Sequence, residues 1–170
     1  DLWINNAGLA LHGPSETLPI EHWQLGLNIM LSGVFYGCQS AARLMIEQGG
    51  GKIINVASVN AFVSQAGRAA YCSAKAGVVS LTEVLGAEWA RYKIRVNAVA
   101  PAVFLTELAR ASIADGSASL DTYVGRSPMG RLGDVPELVE TILFLASDQS
   151  NYITGQTLRV DGGWVSDHYL

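Results

Sequence analysis

Charge is scarce in this chain, and cysteine scarcer. Only 15% of the 170 residues are Asp, Glu, Lys or Arg, and they sum to a formal charge of −4. Without a basic excess the chain lacks the electrostatic footprint that nucleic acid or an anionic membrane surface would require, so neither is expected as a partner. The two cysteines, Cys38 and Cys72, fall in helical patterns, and no metal-ligand spacing joins them to His12, His22 or His168. They read as reduced packing residues of an intracellular protein, and no metal site is expected. No uninterrupted apolar run approaches the ~20 residues of a membrane span. No basic n-region precedes a signal core. Those absences make the cytoplasm the expected location. A Gly-x-x-x-Gly-x-Gly or Gly-x-Gly-x-x-Gly between a strand and a helix, the turn that cradles dinucleotide phosphates, is also missing.

What is present is an apolar, ordinary globular composition, 49% hydrophobic, in a length that suits one domain over 1–170. Strand and helix patterns alternate. Residues 1–5 form a short apolar strand, and 10–19, with two prolines and a glycine, are irregular. A helix is expected from about Ile20 to Gln48, stopped by Gly49-Gly50-Gly51. Lys52 to Ala57 is a buried strand, Ala69 to Tyr92 a helix with a face of small residues, and Ile94 to Val99 a third strand. Residues 106–130, rich in serine and glycine, read as a mobile lid. Asp134-Val-Pro-Glu137 is an N-cap with a capping-box glutamate, opening a helix to Ser147. Thr157 to Val160 is a last strand. This alternation implies a parallel sheet covered on both faces, an α/β fold.

The chain is organised around residues 58–75. Tyr71 and Lys75 stand four apart in a helical run and so share one face. An ammonium held close to a phenol favours the phenolate, and a phenol so tuned can exchange a proton at working pH. Alone, such a pair reads as a half-buried helix tyrosine beside a solvated lysine. Ser58, thirteen positions earlier, closes the run Ile53-Ile54-Asn55-Val56, at the strand end where open α/β sheets bind ligands. Asn5-Asn6-Ala7-Gly8 follows the first strand, Arg95 to Pro101 is followed by Thr106, and Val160-Asp161-Gly162-Gly163 lies near the end. In order and spacing this set resembles the short-chain dehydrogenase/reductase family over nearly the whole chain.

The resemblance implies a doubly wound Rossmann-type sheet, an NAD or NADP cofactor, and interconversion of a secondary alcohol and a ketone. Because the phosphate loop is missing and the chain opens inside a strand, residues 1–170 are expected to be the C-terminal two-thirds of that domain. A chain naturally this short would leave its first strand as an exposed apolar edge. In the implied roles Tyr71 gives or takes the proton, Lys75 tunes Tyr71 and bonds the nicotinamide ribose, and Ser58 bonds the substrate oxygen. Asn5 would brace the sheet. Asn6, Ala7 and Gly8 would pass the cofactor, although the segment alone also reads as a strand-ending turn. Pro101, Phe104 and Thr106 complete the cofactor set. Asn60 and Arg68, with Phe62, flank the Ser58–Tyr71 segment as substrate candidates, against a solvated surface arginine as the plainer reading of Arg68. A homo-oligomer, dimer or tetramer, is expected through the long helices and the last strand.

Two departures stand out. Ala102 occupies a position usually held by glycine, which matters only if the backbone there has positive φ. Met30 stands three before Gly33-Val34-Phe35, where the family keeps a catalytic asparagine. Asn28 is roughly 200° away around a regular helix and cannot replace it without a register change. A slower or rewired proton relay is the expectation. These departures and the missing phosphate loop favour a rival of another class, a non-catalytic binding or scaffold relative. The retained Ser58, Tyr71 and Lys75 oppose it. A flavodoxin-like regulator fails for want of an acidic cluster or a phosphate loop.

Overall fold

The computed structural model describes residues 1–9, 11–116 and 119–167; of the segments read above, Ala10, Ser117, Ala118 and His168 lie outside them. Its centre is one parallel sheet of four strands, β1 (Leu2–Asn5), β2 (Gly51–Val56), β3 (Ile94–Pro101) and β4 (Thr157–Val160), in that order. Successive residues of a strand point to opposite faces, and the core divides accordingly. On one face Ile53, Val96, Ala98 and Ala100 pack with Val34, Cys38, Met45, Val78 and Leu85 of the long helices. On the other, Ile54 and Val99 pack with Leu145. The long helices are α2 (Gly33–Gln48) and α3 (Ala69–Trp89), with the eight-residue α1 (Ile20–Leu27) before them. Two shorter helices, α4 (Glu107–Ala114) and α5 (Leu120–Val124), precede α6 (Val135–Ala146).

The helix expected over 20–48 is interrupted. Residues Asn28–Ser32 form a π-helical turn, in which Gly33 N–H bonds to Asn28 O. This is a local register change, yet it does not bring Asn28 inward. Asn28 stays exposed, its side chain accepting from Gln24 Nε2 at 2.9 Å, while Met30 is fully buried. The bend therefore persists without an asparagine side chain to fix it. Taken together, 20–48 is also long and apolar enough to cross a bilayer by those measures alone, more so than its broken apolar runs indicate. Its face of Val34, Cys38, Ala41, Ala42 and Met45 is packed into the core against the sheet, which accounts for that character.

The small residues of α3 receive neighbours from within the chain. A Cβ on Gly77 would meet Leu31 Cδ1 at 2.9 Å, and one on Gly86 would meet the Gly155 backbone nitrogen at 2.5 Å. The described part of 106–130 carries two capped helices, α4 and α5. Thr106 caps α4 by accepting from Ala109 N at 3.1 Å, and Ser119 caps α5 by accepting from Thr122 N at 3.3 Å. The expected capping box on α6 is present: Asp134 N–H donates to Glu137 Oε2 at 2.8 Å. Arg131 adds a two-pronged ion pair at 2.8 and 2.7 Å that pulls the Glu137 carboxyl down to about 2.

Candidate active site

The C-terminal ends of β1, β2 and β3 carry the residues that sequence spacing brings forward. At the end of β2, Lys75 Nζ donates to Val56 O at 2.6 Å, which pins α3 to the last residue of the strand. Val56 O is the one acceptor that this ammonium meets among the described residues, although three N–H donors are available. Lys75 is only 4% exposed, and burial pulls its pKa down to about 8. Tyr71 lies one helical turn earlier on the same face, half-buried, with Lys75 Nζ 5.8 Å from its ring centroid.

Two residues past Val56 the chain extends through Ser58 and turns into a 3-10 turn, Val59–Ala61. Ser58 is buried, and its Oγ accepts from Asn60 N–H at 3.2 Å. That bond orients the hydroxyl while leaving its own proton free to donate. Thus β2, its following turn and α3 hold the serine and the lysine at the same strand end.

Asn5 braces the sheet, as expected. Its Nδ2 donates to Asn55 Oδ1 at 2.8 Å, Asn55 Nδ2 donates to Thr82 Oγ1 at 3.0 Å, and Thr82 Oγ1 donates to Val78 O at 2.8 Å. This line of bonds ties β1 through β2 to α3 behind the reactive residues. Gly37 on α2 is required for it, because a Cβ there would collide with Asn5 Oδ1. Cys38 lies against the same group, its thiol pushed up to about 11 by burial.

Asn6, Ala7 and Gly8 form an exposed loop at the end of β1. Pro101 ends β3, and Ala102 N–H bonds to Val160 O at 3.1 Å. Lys93 is the one non-glycine residue with positive φ among the described residues, so alanine at 102 carries no backbone strain. Phe104 is buried against Gly133, with Leu105 N–H bonding to Gly133 O, and Thr106 is an exposed helix cap. These loops leave exposed backbone at the strand ends beside a buried ammonium with free donors, a set that fits the nicotinamide-ribose end of a dinucleotide.

The substrate candidates separate. Asn60 is 5% exposed and lines a cavity of about 570 Å³ with Gln65, Arg126, Trp164 and Asp167. Arg68 lines a different recess with His12, Pro14 and Glu16. Phe62 is not in Asn60's cavity: its ring lies under Arg159, 5.8 Å from the guanidinium carbon, and faces a hollow shared with Val79 and Thr157. Arg126, Trp164 and Asp167 come from chain segments far from Ser58 in sequence, and no local motif announces them.

A family model described as enoyl-(acyl carrier protein) reductase matches residues 1–165. A NAD-dependent glycerol dehydrogenase of Listeria innocua is 43% identical over 165 residues, which is 97% of this chain and 64% of that protein. A D-threitol dehydrogenase of Mycolicibacterium smegmatis is 41% identical over 165 residues, 97% of this chain and 63% of its own length. The solved structure of a gluconate 5-dehydrogenase from Burkholderia cenocepacia, in complex with NADP and tartrate, superposes with a TM-score of 0.91 at 42% identity, covering 98% of this chain and 65% of that one. The chain belongs to the short-chain dehydrogenase/reductase family. It spans under two thirds of the length of these curated relatives.

Proposed function

We propose that this chain carries the catalytic residues of an NAD- or NADP-dependent oxidoreductase that interconverts a secondary alcohol and a ketone. One observation carries the reading: Lys75 is buried and tied to the end of β2 at 2.6 Å, placing Tyr71 on the same helix face and Ser58 two residues beyond the tie. A solvated helix lysine would do none of this. The names of the relatives, dehydrogenases of glycerol, threitol and gluconate, support a small hydroxylated substrate.

In the reductive direction Tyr71 Oη gives its proton to the substrate oxygen, and in the oxidative direction it takes that proton. Ser58 Oγ, oriented by Asn60 N–H, donates to the same oxygen and stabilises the charge growing on it. Lys75 holds a positive charge behind the phenol and offers its spare donors to the ribose hydroxyls. The nicotinamide, when bound, supplies or accepts the hydride. Asn6, Ala7, Gly8, Pro101, Phe104 and Thr106 would line its site, and Asn60 would face the substrate, with Arg68 further out.

The same proposal includes association of two or four copies, supported by the large apolar side chains left open on α2, Tyr36 at 63% and Leu44 at 60% exposure, and on α3, Val84 at 49%. A cytoplasmic location goes with it, since Cys38 and Cys72 are free thiols. No nucleic acid, membrane or metal enters the proposed chemistry.

The test pairs cofactor binding with turnover. NADH or NADPH fluorescence is expected to change on mixing with the protein, and Tyr71→Phe is expected to keep that response while turnover of a ketone panel falls about 10²–10⁴-fold. Equal turnover in Tyr71→Phe would sink the assignment. Binding without turnover in the unmodified protein would favour the scaffold rival.

A further inference from the structure

We propose that the cavity beside Ser58 selects an anionic, polyhydroxylated substrate, a sugar acid over a neutral polyol, with Arg126 receiving the carboxylate and Asn60 a hydroxyl near the reacting carbon. The inference rests on the alcohol–ketone reading above and names its substrate class. The cavity, about 570 Å³, falls within the roughly 300–1,000 Å³ of small-molecule sites. Its wall is polar: Asn60, Ser64, Gln65, Arg126 and Asp167 surround it, with Trp164 as the large ring.

Asn60 fixes the inner end. Its backbone N–H bonds to Ser58 Oγ at 3.2 Å, so its side chain belongs to the residue that orients the reactive hydroxyl. It is 5% exposed, yet its Nδ2 has no hydrogen-bond partner among the described residues. A buried donor left unpaired is costly, and folding tolerates it where a ligand oxygen completes the bond. Turning the amide toward the cavity it lines offers that donor to a substrate hydroxyl.

Arg126 fixes the outer end. Its guanidinium carbon sits 5.4 Å over the Trp164 ring, which holds the planar fork in place without using its N–H donors. The ion pairs among the described residues are Lys52–Asp148 and Arg131–Glu137, so the Arg126 charge meets no protein carboxylate there. A preorganised, unpaired guanidinium matches the two oxygens of a carboxylate. Asp167, also on the wall and exposed, accepts from hydroxyls and repels a second negative charge. A monoanion carrying several hydroxyls satisfies the whole set. A neutral polyol leaves Arg126 unanswered.

The experiment compares D-gluconate with D-sorbitol, the same carbon chain with and without the carboxylate, on the full protein. Calorimetric titration with each is expected to show gluconate binding at least tenfold tighter. With NADP or NAD present, kcat/KM is expected to favour gluconate by a similar factor. Arg126→Gln is expected to erase that preference, and Arg126→Lys to restore part of it, with circular dichroism confirming the fold of each. Asn60→Ala is expected to weaken gluconate binding while cofactor fluorescence stays as in the unmodified protein. Equal affinity for the two probes, or a preference untouched in Arg126→Gln, overturns the inference. Oxidation of sorbitol and gluconate alike would do so while leaving the alcohol–ketone reading intact. Selective gluconate binding without turnover of any alcohol would support the site and overturn the chemistry instead, and failure of both probes to bind or react overturns both.

Discussion

Lys75 is a cation in a place that charges avoid. The residue is 4% exposed, its ammonium meets a single carbonyl among the described residues, and burial pulls its pKa down to about 8 from the ordinary 10.5. The sign of the consequence follows from proton counting. Between about pH 8 and 10.5 the unfolded chain holds a proton here that the folded chain has released, so stability rises with pH through that window. Below pH 8 both states are protonated and the cost of burying the charge is fully present. The span corresponds to roughly 3 kcal/mol at most. Urea midpoints measured from pH 7 to 10.5 are expected to show this rise in the unmodified protein relative to Lys75→Met, a difference that cancels every other titrating group. Parallel curves for the two proteins would mean that the ammonium is better solvated than its contacts imply. The same strain is what a catalytic role would exploit, because an under-satisfied buried donor gains most when ribose hydroxyls arrive.

Among the elements, α3 does most to shape the site, and its two interior glycines make different demands. At Gly86 an added Cβ would press on the Gly155 backbone, 2.5 Å from its nitrogen, and backbone cannot step aside. At Gly77 the obstacle is the Leu31 side chain at 2.9 Å, which can rotate, and alanine brings about 1 kcal/mol of helix propensity. Gly86→Ala is therefore expected to lose about 1–3 kcal/mol from overpacking, and Gly77→Ala to stay within about 1 kcal/mol of the unmodified protein, both read from denaturant curves. The π-helical turn before α2 makes a third demand. Its fully buried Met30 sits in a main-chain bend at the position where the family resemblance leads one to expect an asparagine, and a slower or rewired proton relay is the proposed result. Met30→Asn is expected to raise turnover or move its pH profile, and no change in either would count against the relay. Little of this turn was legible in advance, since the phase shift of one i→i+5 turn is hard to see in a stretch apolar on several faces. The caps of α4 and α5 were equally hidden, because Thr106 and Ser119 sit in a polar run where any serine or threonine could serve. The sheet and the grouping of Ser58, Tyr71 and Lys75 were legible for the opposite reason: β2, the Ser58 turn and the start of α3 are consecutive, so spacing in sequence translates directly into spacing at the strand end. Arg126 and Trp164 reach the same cavity only through tertiary folding, which local spacing does not encode.

Within residues 1–170 the sheet ends at β1 on one side and β4 on the other. The Thr154–Gly155 segment leading into β4 packs on α3 and bonds to Val96 O of β3, while β1 pairs with β2 alone. Leu2, Trp3 and Ile4 are 43%, 43% and 42% exposed, three consecutive large apolar residues on a strand whose outer backbone groups face away from β2. Unpaired strand edges of that kind recruit other chains unless a charge, a proline or a covering element blocks them. Nothing in Leu2–Asn5 supplies a charge or a proline. Residues 1–170 expressed alone are therefore expected to associate with rising concentration through β1, independently of the open α2 and α3 surfaces. Ile4→Lys should lower the mass seen by light scattering at a given concentration, because lysine on an edge strand keeps its charge in water and cannot be sandwiched. Tyr36→Lys on α2 separates the two routes. If it disperses the assemblies and Ile4→Lys does not, the helices and not the strand edge hold the copies together, and the exposure of β1 carries no association.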